Sequence, residues 1–135
     1  MKINNVVIIG SGTMGSGIAA HLCNANIPVT LLDLKTEISN QARDKIFSSR
    51  PPLLLDKTKI NNIKVGNIID DFNLVKDADW IVEAVVERID IKHSIYKKIF
   101  KARKKGAIVS SNTSSIPIKI LSQHLTSEQK KDFCI

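Results

Sequence analysis

The feature that most constrains the fold is a glycine-rich stretch near the start of the chain. Residues 10–17 form "GSGTMGSG", which directly follows the apolar run "INNVVIIG". Gly10, Gly12 and Gly15 match the pattern G-x-G-x-x-G, and "MGSGIAAHLCNAN" then shows the apolar spacing of a helix. The next apolar run, "IPVTLLDL", predicts a second strand. This order of strand, tight turn, helix and strand predicts a βαβ unit.

Strand-like and helix-like segments continue to alternate along the rest of the chain. A helical stretch from Thr36 to about Ser49 is followed by a break at Pro51 and Pro52. The later predictions are a strand in "KVGNIIDDF", a helical turn in "NLVKDAD", a fully buried strand "WIVEAVVE", an amphipathic helix "IDIKHSIYKKIFKARKK" and a strand "GAIVSS". Residues 1–135 are therefore expected to form a single α/β domain, a Rossmann-type doubly wound parallel sheet.

Each glycine of the turn has a physical task if the chain binds a dinucleotide. Gly10 permits the tight turn, Gly12 lets the backbone approach a pyrophosphate, and Gly15 lets the helix pack closely on the strand. The free amides and the positive dipole end of the following helix favour the phosphates. The remaining residues expected to contribute to this cofactor-binding loop are Ser11, Thr13 and Met14.

An acidic residue lies at the end of the second predicted strand. Asp33 lies 18 residues past Gly15, where a carboxylate that accepts hydrogen bonds from the adenosine ribose is expected. Its charge would repel a 2′-phosphate, which favours NAD over NADP, although nearby Lys35 weakens this argument. Two alternatives stay open at this point: a glycine turn that serves packing alone, and a flavin cofactor that uses the same turn.

Polar residues follow two later strands at the edge where the glycine turn is expected. Ligands of open parallel sheets bind at the carboxyl ends of the strands. Ala84 is small enough to let a cofactor approach, while Glu87 and Lys92 are placed to contact the nicotinamide-side ribose. An ordinary surface ion pair is the alternative for Glu87 and Lys92. The polar run "SSNTSS" at residues 110–115 ends the next strand and is expected at the same edge.

Composition excludes several classes of function. The net charge of +7 comes mostly from Lys, and one Trp and one Tyr give little to stack on bases, so a nucleic-acid partner is not expected. Most of the basic stretch of residues 97–105 is predicted to be the outer face of one helix, with a docking site as the alternative. No apolar run has the length of a membrane span, the N-terminus is predicted to be a strand rather than a signal peptide, and the two cysteines have no metal-site spacing. We expect a cytoplasmic protein without membrane or metal partners.

Four stretches together resemble a known family. "VVIIGSGTMGSGIAA", "LLDL", "ADWIVEAVVERIDIK" and "SSNTSSIPI" resemble the NAD-binding domain of the 3-hydroxyacyl-CoA dehydrogenases, including the 3-hydroxybutyryl-CoA enzymes and the dehydrogenase part of multifunctional fatty-acid oxidation proteins. The resemblance is weakest from about Arg43 to Val65. It implies NAD as cofactor and the pair 3-hydroxyacyl-CoA and 3-oxoacyl-CoA as substrate and product.

The resemblance also implies roles for individual residues. The loop from Gly10 to Gly15 would hold the pyrophosphate and Asp33 the ribose. Further roles implied are cofactor contact by Glu87 and Lys92, positioning of cofactor or substrate by Asn112, and a catalytic hydrogen bond from Ser114 to the 3-oxygen of the acyl group. Ser49 is a weaker candidate for contact with coenzyme A, because the flanking "SRPPLLLD" departs from the family pattern.

A general base near neutral pKa is needed to take the hydroxyl proton during hydride transfer. We expect His21, His93 and His124 to be structural or solvated. In the resembling family the base is the His of a His-Phe-Phe-Asn-Pro motif that follows a short strand. The stretch "KKDFCI" corresponds to that strand. The expectation is a cofactor domain that lacks this His, its Glu partner and the helical C-terminal domain that supplies homodimer contacts. Such a chain would bind NAD with little or no activity.

Two rival functions stay open on the sequence alone. One is a non-catalytic NAD-binding or structural relative that retains the fold. The other is a dehydrogenase of free β-hydroxyacids, since the same glycine turn serves many chemistries.

Overall fold

The computed structural model describes all 135 residues and contains one six-stranded parallel sheet. The strands are β1 Val6–Ile9, β2 Val29–Asp33, β3 Ile63–Asn67, β4 Trp80–Glu83, β5 Ile108–Ser111 and β6 Phe133–Cys134. The helices are α1 Thr13–Asn24, α2 Thr36–Ser48, α3 Ile89–Ala102, α4 Ile118–Leu121 and α5 Ser127–Lys130, with 3₁₀ helices at Lys57–Asn62 and Phe72–Asp77.

The strands form because short apolar runs can be covered on both faces. In β1, Val6 and Ile8 point into one core cluster, and Val7 and Ile9 point into the other. Helices α1 and α2 supply the first cluster, and α3 supplies the second through residues such as Ile99. Side chains of a strand alternate between faces, so a strand buried on both sides is apolar throughout. The predicted doubly wound fold is confirmed.

The order of the strands creates a crevice beside β1. The sheet runs β3-β2-β1-β4-β5-β6, so the chain builds outward from β1 in one direction and then crosses over to β4 on the other side. In such sheets ligands bind where the order reverses, outside the carboxyl ends of the strands. The ladder continues one residue past three strands, because the amides of Gly10, Ala84 and Asn112 donate to the carbonyls of Leu32, Ile9 and Glu83, each at 2.8 Å.

The structure corrects two predictions in the second half of the chain. The run "WIVEAVVE" is not a fully buried strand, because β4 ends at Glu83 and Val86 is 60% exposed. The basic stretch 97–105 is a helix face only as far as Ala102, where α3 ends. Arg103 instead lies within the fold, where its guanidinium donates to the carbonyl of Ala107 at 2.5 Å and pairs with Asp132 at 2.8 Å.

Several elements were not anticipated by the sequence patterns. These are the 3₁₀ helix after the Pro51 break and the one-turn helices α4 and α5 beyond the polar run. None of the helices combines the length and apolar character that crossing a bilayer requires.

Candidate functional site

The glycine turn between β1 and α1 is packed against the end of β4. Gly10 has a φ of 105°, a region that favours glycine, and a Cβ there would overlap the carbonyl oxygen of Ala84. A Cβ at Gly15 would overlap the carbonyl oxygen of Gly10. The protein's own backbone therefore requires glycine at both positions, as the motif predicted.

Gly12 differs from these two glycines because the protein itself leaves space around it. It is the residue before α1, and a Cβ there would have no protein atom within 4 Å. No side chain caps this end of α1, and no acidic residue lies in its first turn. The open cradle, the uncapped amides and the positive dipole end fit a pyrophosphate group.

Asp33 connects the end of β2 to the glycine turn. Its Oδ2 accepts hydrogen bonds from the amide of Ser11 at 2.7 Å and from the Ser11 hydroxyl at 2.5 Å. Its Oδ1 accepts from the amide of Leu34 at 2.7 Å. The carboxylate is thereby fixed beside the loop while it borders the adjoining cleft.

A cleft of about 630 Å³ opens at this edge of the sheet. Asp33 and the glycine turn form one side, and apolar groups cover much of the rest. The lining residues are Ile9, Gly10, Ser11, Gly12, Asp33, Leu34, Ile68, Ala84, Val85, Val86, Asp90, Ile91, Ser94, Ile95 and Lys98. Largely apolar walls, with the Asp33 carboxylate fixed beside the glycine turn, suit a nucleoside, whose ring is flat and whose ribose carries hydroxyl donors.

A second cleft of about 500 Å³ adjoins the first across the glycine turn. It shares Ser11, Gly12 and Asp33 with the first cleft and extends along α2 to Ser49. The Ser49 hydroxyl donates to the carbonyl of Pro51 at 2.8 Å. Ser49 thus lines the same cleft as Gly12 of the predicted pyrophosphate loop, whereas Ala84 lines the first cleft.

The other half of the site is built on a buried carboxylate at the end of β4. Glu83 has no exposed surface, and its Oε1 accepts from the Lys92 ammonium at 2.7 Å and from the Val85 amide at 2.9 Å. Its Oε2 accepts from the hydroxyls of Tyr96 and Ser111, each at 2.6 Å. Burial and the bond to the Glu83 carboxylate raise the pKa of Tyr96 well above its usual range.

Glu87 holds the polar run that follows β5. Its Oε2 accepts from the amides of Ser114 at 2.9 Å and Ser115 at 3.3 Å and from both of their hydroxyls at 3.2 Å. Its Oε1 accepts from the Thr113 hydroxyl at 3.0 Å. The Ser114 amide, assisted by Lys92 and Thr113, lowers the pKa of Glu87 to about 2, so the carboxylate is ionised at neutral pH.

Lys92 lies between these two carboxylates. Its ammonium is 2.7 Å from Glu83 and 3.1 Å from Glu87, and its side chain has no exposed surface. The alternative of an ordinary surface ion pair is therefore wrong. The predicted direct cofactor contact is also not available to this ammonium in the structure, because Lys92 is enclosed behind the site.

The remaining predicted residues fall on the same edge, except for the histidines. Asn112 is half-buried directly after β5, and Ser114 is exposed beside Glu87. No histidine lines either cleft. His93 and His124 instead contact each other edge to face at 4.5 Å, with the His93 Nε2 2.8 Å from the Ile120 carbonyl oxygen.

Sequence reasoning missed the role of Glu83. The pattern contained a usable indication, since a carboxylate inside the apolar run "WIVEAVV" must find buried partners. Lys92 and Tyr96, one helical turn apart on α3, are those partners.

The chain matches known proteins over nearly all its length. A family model described as "3-hydroxyacyl-CoA dehydrogenase, NAD binding domain" matches residues 5–135. A protein of Deinococcus radiodurans named as a probable 3-hydroxyacyl-CoA dehydrogenase is 40% identical over 127 residues, which cover 89% of this chain and 37% of that protein.

Two further proteins extend the comparison. The peroxisomal fatty acid beta-oxidation multifunctional protein of Arabidopsis thaliana is 35% identical over 135 residues, 95% of this chain and 18% of that protein. The crystal structure of (S)-3-hydroxybutyryl-CoA dehydrogenase from Ralstonia eutropha matches with a TM-score of 0.85 and 30% identity, covering 98% of this chain and 48% of the other. The present chain therefore spans less than half the length of each of these relatives.

Proposed function

We propose, from the premise that this chain belongs to the NAD-binding domain family of the 3-hydroxyacyl-CoA dehydrogenases, that it serves NAD-dependent oxidation of 3-hydroxyacyl-CoA to 3-oxoacyl-CoA. The domain binds NAD at the carboxyl edge of its sheet. Cytoplasmic location, expected from the sequence, and assembly as a homodimer through a helical C-terminal domain, implied by the family resemblance, remain parts of this proposal.

The observation that carries the cofactor assignment is the contrast among the three glycines. Gly10 and Gly15 are required by the protein's own packing, whereas the space around Gly12 is open. A loop that needed glycine only for its own packing would not need it at Gly12. Pyrophosphate binds in that space, against the α1 amides, and Asp33 accepts hydrogen bonds from the adenosine ribose. The Asp33 charge favours NAD over NADP.

The second half of the edge serves the reacting end of the cofactor and the acyl substrate. When bound, NAD⁺ supplies the acceptor for the hydride that leaves the substrate carbon. The Ser114 hydroxyl hydrogen-bonds the 3-oxygen, Asn112 helps to position substrate or cofactor, and Glu87 contacts the nicotinamide-side ribose. Ser49 stays a weaker candidate for coenzyme A contact.

A hydroxyl can orient an oxygen, but proton removal needs a base with a pKa near neutral. None of the three histidines borders the clefts that the proposed site uses. These 135 residues are therefore expected to bind NADH without reducing acetoacetyl-CoA at a measurable rate.

Binding and turnover test the two parts of this proposal separately. Titration of the chain with NADH, followed by nicotinamide fluorescence, should saturate, and NADPH should bind at least about tenfold more weakly, a difference of ~1.4 kcal/mol. Asp33→Asn should weaken NADH binding and reduce the preference over NADPH. Asp44→Asn, an equal charge change on the exposed side of α2, is the matched control.

Two results would count against the proposal. Failure of NADH to saturate the folded chain would remove the cofactor assignment. Measurable reduction of acetoacetyl-CoA would show that a base is present among these residues. Reduction of a free 3-oxoacid by a longer protein that carries this chain, without activity on the CoA ester, would favour the free β-hydroxyacid alternative.

A further inference from the structure

Two opposite charges lie completely inside the domain, behind the polar run 110–115. Glu83 and Lys92 both have side chains with no exposed surface, and their charged atoms are 2.7 Å apart. Removing two charges from water costs several kcal/mol per ion, so a buried pair is weak grounds for extra stability. A pair buried at this cost is therefore a candidate for a role other than filling the core.

Glu83 joins three separate elements at one point. Its two oxygens take hydrogen bonds from the turn after β4, from α3 and from the last residue of β5, through Val85, Lys92, Tyr96 and Ser111. Ser111 immediately precedes Asn112, whose amide donates to the Glu83 carbonyl at 2.8 Å. The start of the polar loop is thus tied to Glu83 through both side chain and backbone.

Lys92 provides a second connection to the same loop. Its ammonium also lies 3.1 Å from Glu87, the carboxylate that accepts bonds from Thr113, Ser114 and Ser115. A continuous series of charged hydrogen bonds therefore runs from Glu83 through Lys92 and Glu87 to Ser114. Charge-assisted bonds are stronger and more directional than neutral ones, especially away from water.

We infer that Glu83 and Lys92 are positioning residues: the buried pair fixes the Glu87 carboxylate, and Glu87 in turn sets the position of the Ser114 hydroxyl. Neither buried side chain needs to touch a ligand for this. The inference rests on the proposed function only for the role of Ser114. The coupling of the Glu83–Lys92 pair to Glu87 and Ser114 exists in the chain without any ligand.

The test uses a double variant that removes both buried charges together. Removing both charges of a buried pair with side chains of similar volume leaves no buried charge without its partner, so Glu83→Gln with Lys92→Met should fold. The ¹³C chemical shift of the Glu87 carboxyl should then report a titration midpoint about 1 pH unit higher than in the unaltered chain, because loss of the attractive Lys92 ammonium, 3.1 Å from Glu87, outweighs loss of the repulsive Glu83 charge. The amide resonances of Ser114 and Ser115 should shift with it. Lys97→Met, which removes an exposed charge from α3, should change neither the Glu87 titration midpoint nor these amide resonances.

A purely structural pair gives a different result. A folded double variant with an unchanged Glu87 midpoint and unchanged Ser114 and Ser115 amide shifts would overturn the inference. If the double variant does not fold, the inference is tested by NMR on the unaltered chain. Its Lys92 ammonium protons should exchange slowly with water and show cross-relaxation to side-chain protons of both Glu83 and Glu87, whereas rapid exchange would overturn the coupling.

All these measurements are made without NADH. A failure of NADH to bind would therefore leave the coupling intact, and an unchanged Glu87 midpoint in the double variant would overturn the coupling without bearing on the glycine turn.

Discussion

The two halves of the ligand edge are built on different physical principles. In the half formed by residues 10–17 and Asp33, backbone geometry shapes the site, and the only side-chain charge is at the rim. In the half formed by residues 83–92 and 111–115, the charged side chains of Glu83, Lys92 and Glu87 shape the site, and the first two of these have no exposed surface.

This difference determines how each half tolerates change. A backbone cradle depends on the absence of atoms, so a single added methyl group damages it at defined positions. A buried charge network depends on the presence of every member, so loss of one leaves another buried charge incompletely paired. Single substitutions in the two halves should therefore differ in how much they lower the free energy of unfolding.

The largest effect is expected where one buried charge is removed alone. Glu83→Gln leaves the Lys92 ammonium with one carboxylate partner, and removal of one member of a buried pair costs about 3–5 kcal/mol of unfolding free energy. Urea denaturation measures this loss. Asp90→Asn, which breaks an exposed pair with Arg88, is the control and should cost less than about 1 kcal/mol. Similar losses in both variants would contradict the difference between the halves.

In the backbone half, two glycines of α1 give a matched pair. A methyl group at Gly15 would meet the carbonyl oxygen of Gly10, so Gly15→Ala should lower the unfolding free energy by about 1–3 kcal/mol. At Gly17 the space is open, and Gly17→Ala should raise it by up to about 1 kcal/mol through helix propensity. Thermal or urea denaturation of both variants checks the opposite signs, and equal signs would be inconsistent with the packing of the turn.

The backbone half was predictable from sequence because its determinants are local. The glycine spacing, the following helical pattern and Asp33 at the next strand end lie within 24 residues, and each has a known geometric consequence. The doubly wound class of the sheet was also predictable, since a chain of alternating strands and helices has few permitted topologies.

The charged half was only partly predictable because its contacts join distant residues. Glu87 and Lys92 were placed correctly near the edge, but their side-chain surroundings depend on how α3 packs on β4 and β5. Glu83 meets Ser111, 28 residues away, only after the sheet has formed. The strand end was misjudged for a related reason: "AVVE" is apolar enough for a strand, but the Glu83 carboxylate takes the Val85 amide from the ladder.

A substitution at Gly12 should change the affinity for NADH and hardly change the free energy of unfolding. Gly12→Ala meets no protein atom and should change the unfolding free energy by less than about 1 kcal/mol. The methyl group would occupy the proposed pyrophosphate cradle and weaken NADH binding by at least about tenfold, or ~1.4 kcal/mol. Fluorescence titration and urea denaturation of the same sample separate the two. Unchanged NADH affinity would contradict the assignment of the cradle.

The smallest expected effect concerns the acid stability supplied by Glu87 at the rim of the charged half. Its pKa is about 2 in the folded chain against an ordinary value of 4.5, so its stabilising contribution is complete above pH 4.5 and falls away towards pH 2. Because its side chain is 32% exposed, solvent screening should limit that contribution to about 1 kcal/mol or less. Urea denaturation of the unaltered chain and of Glu87→Gln from pH 2.5 to 7 should show a difference that is largest above pH 4.5 and shrinks on acidification. A difference that stayed constant over this range would mean that the charge of Glu87 does not hold the loop, and that neutral hydrogen bonds to Thr113 and Ser114 are sufficient.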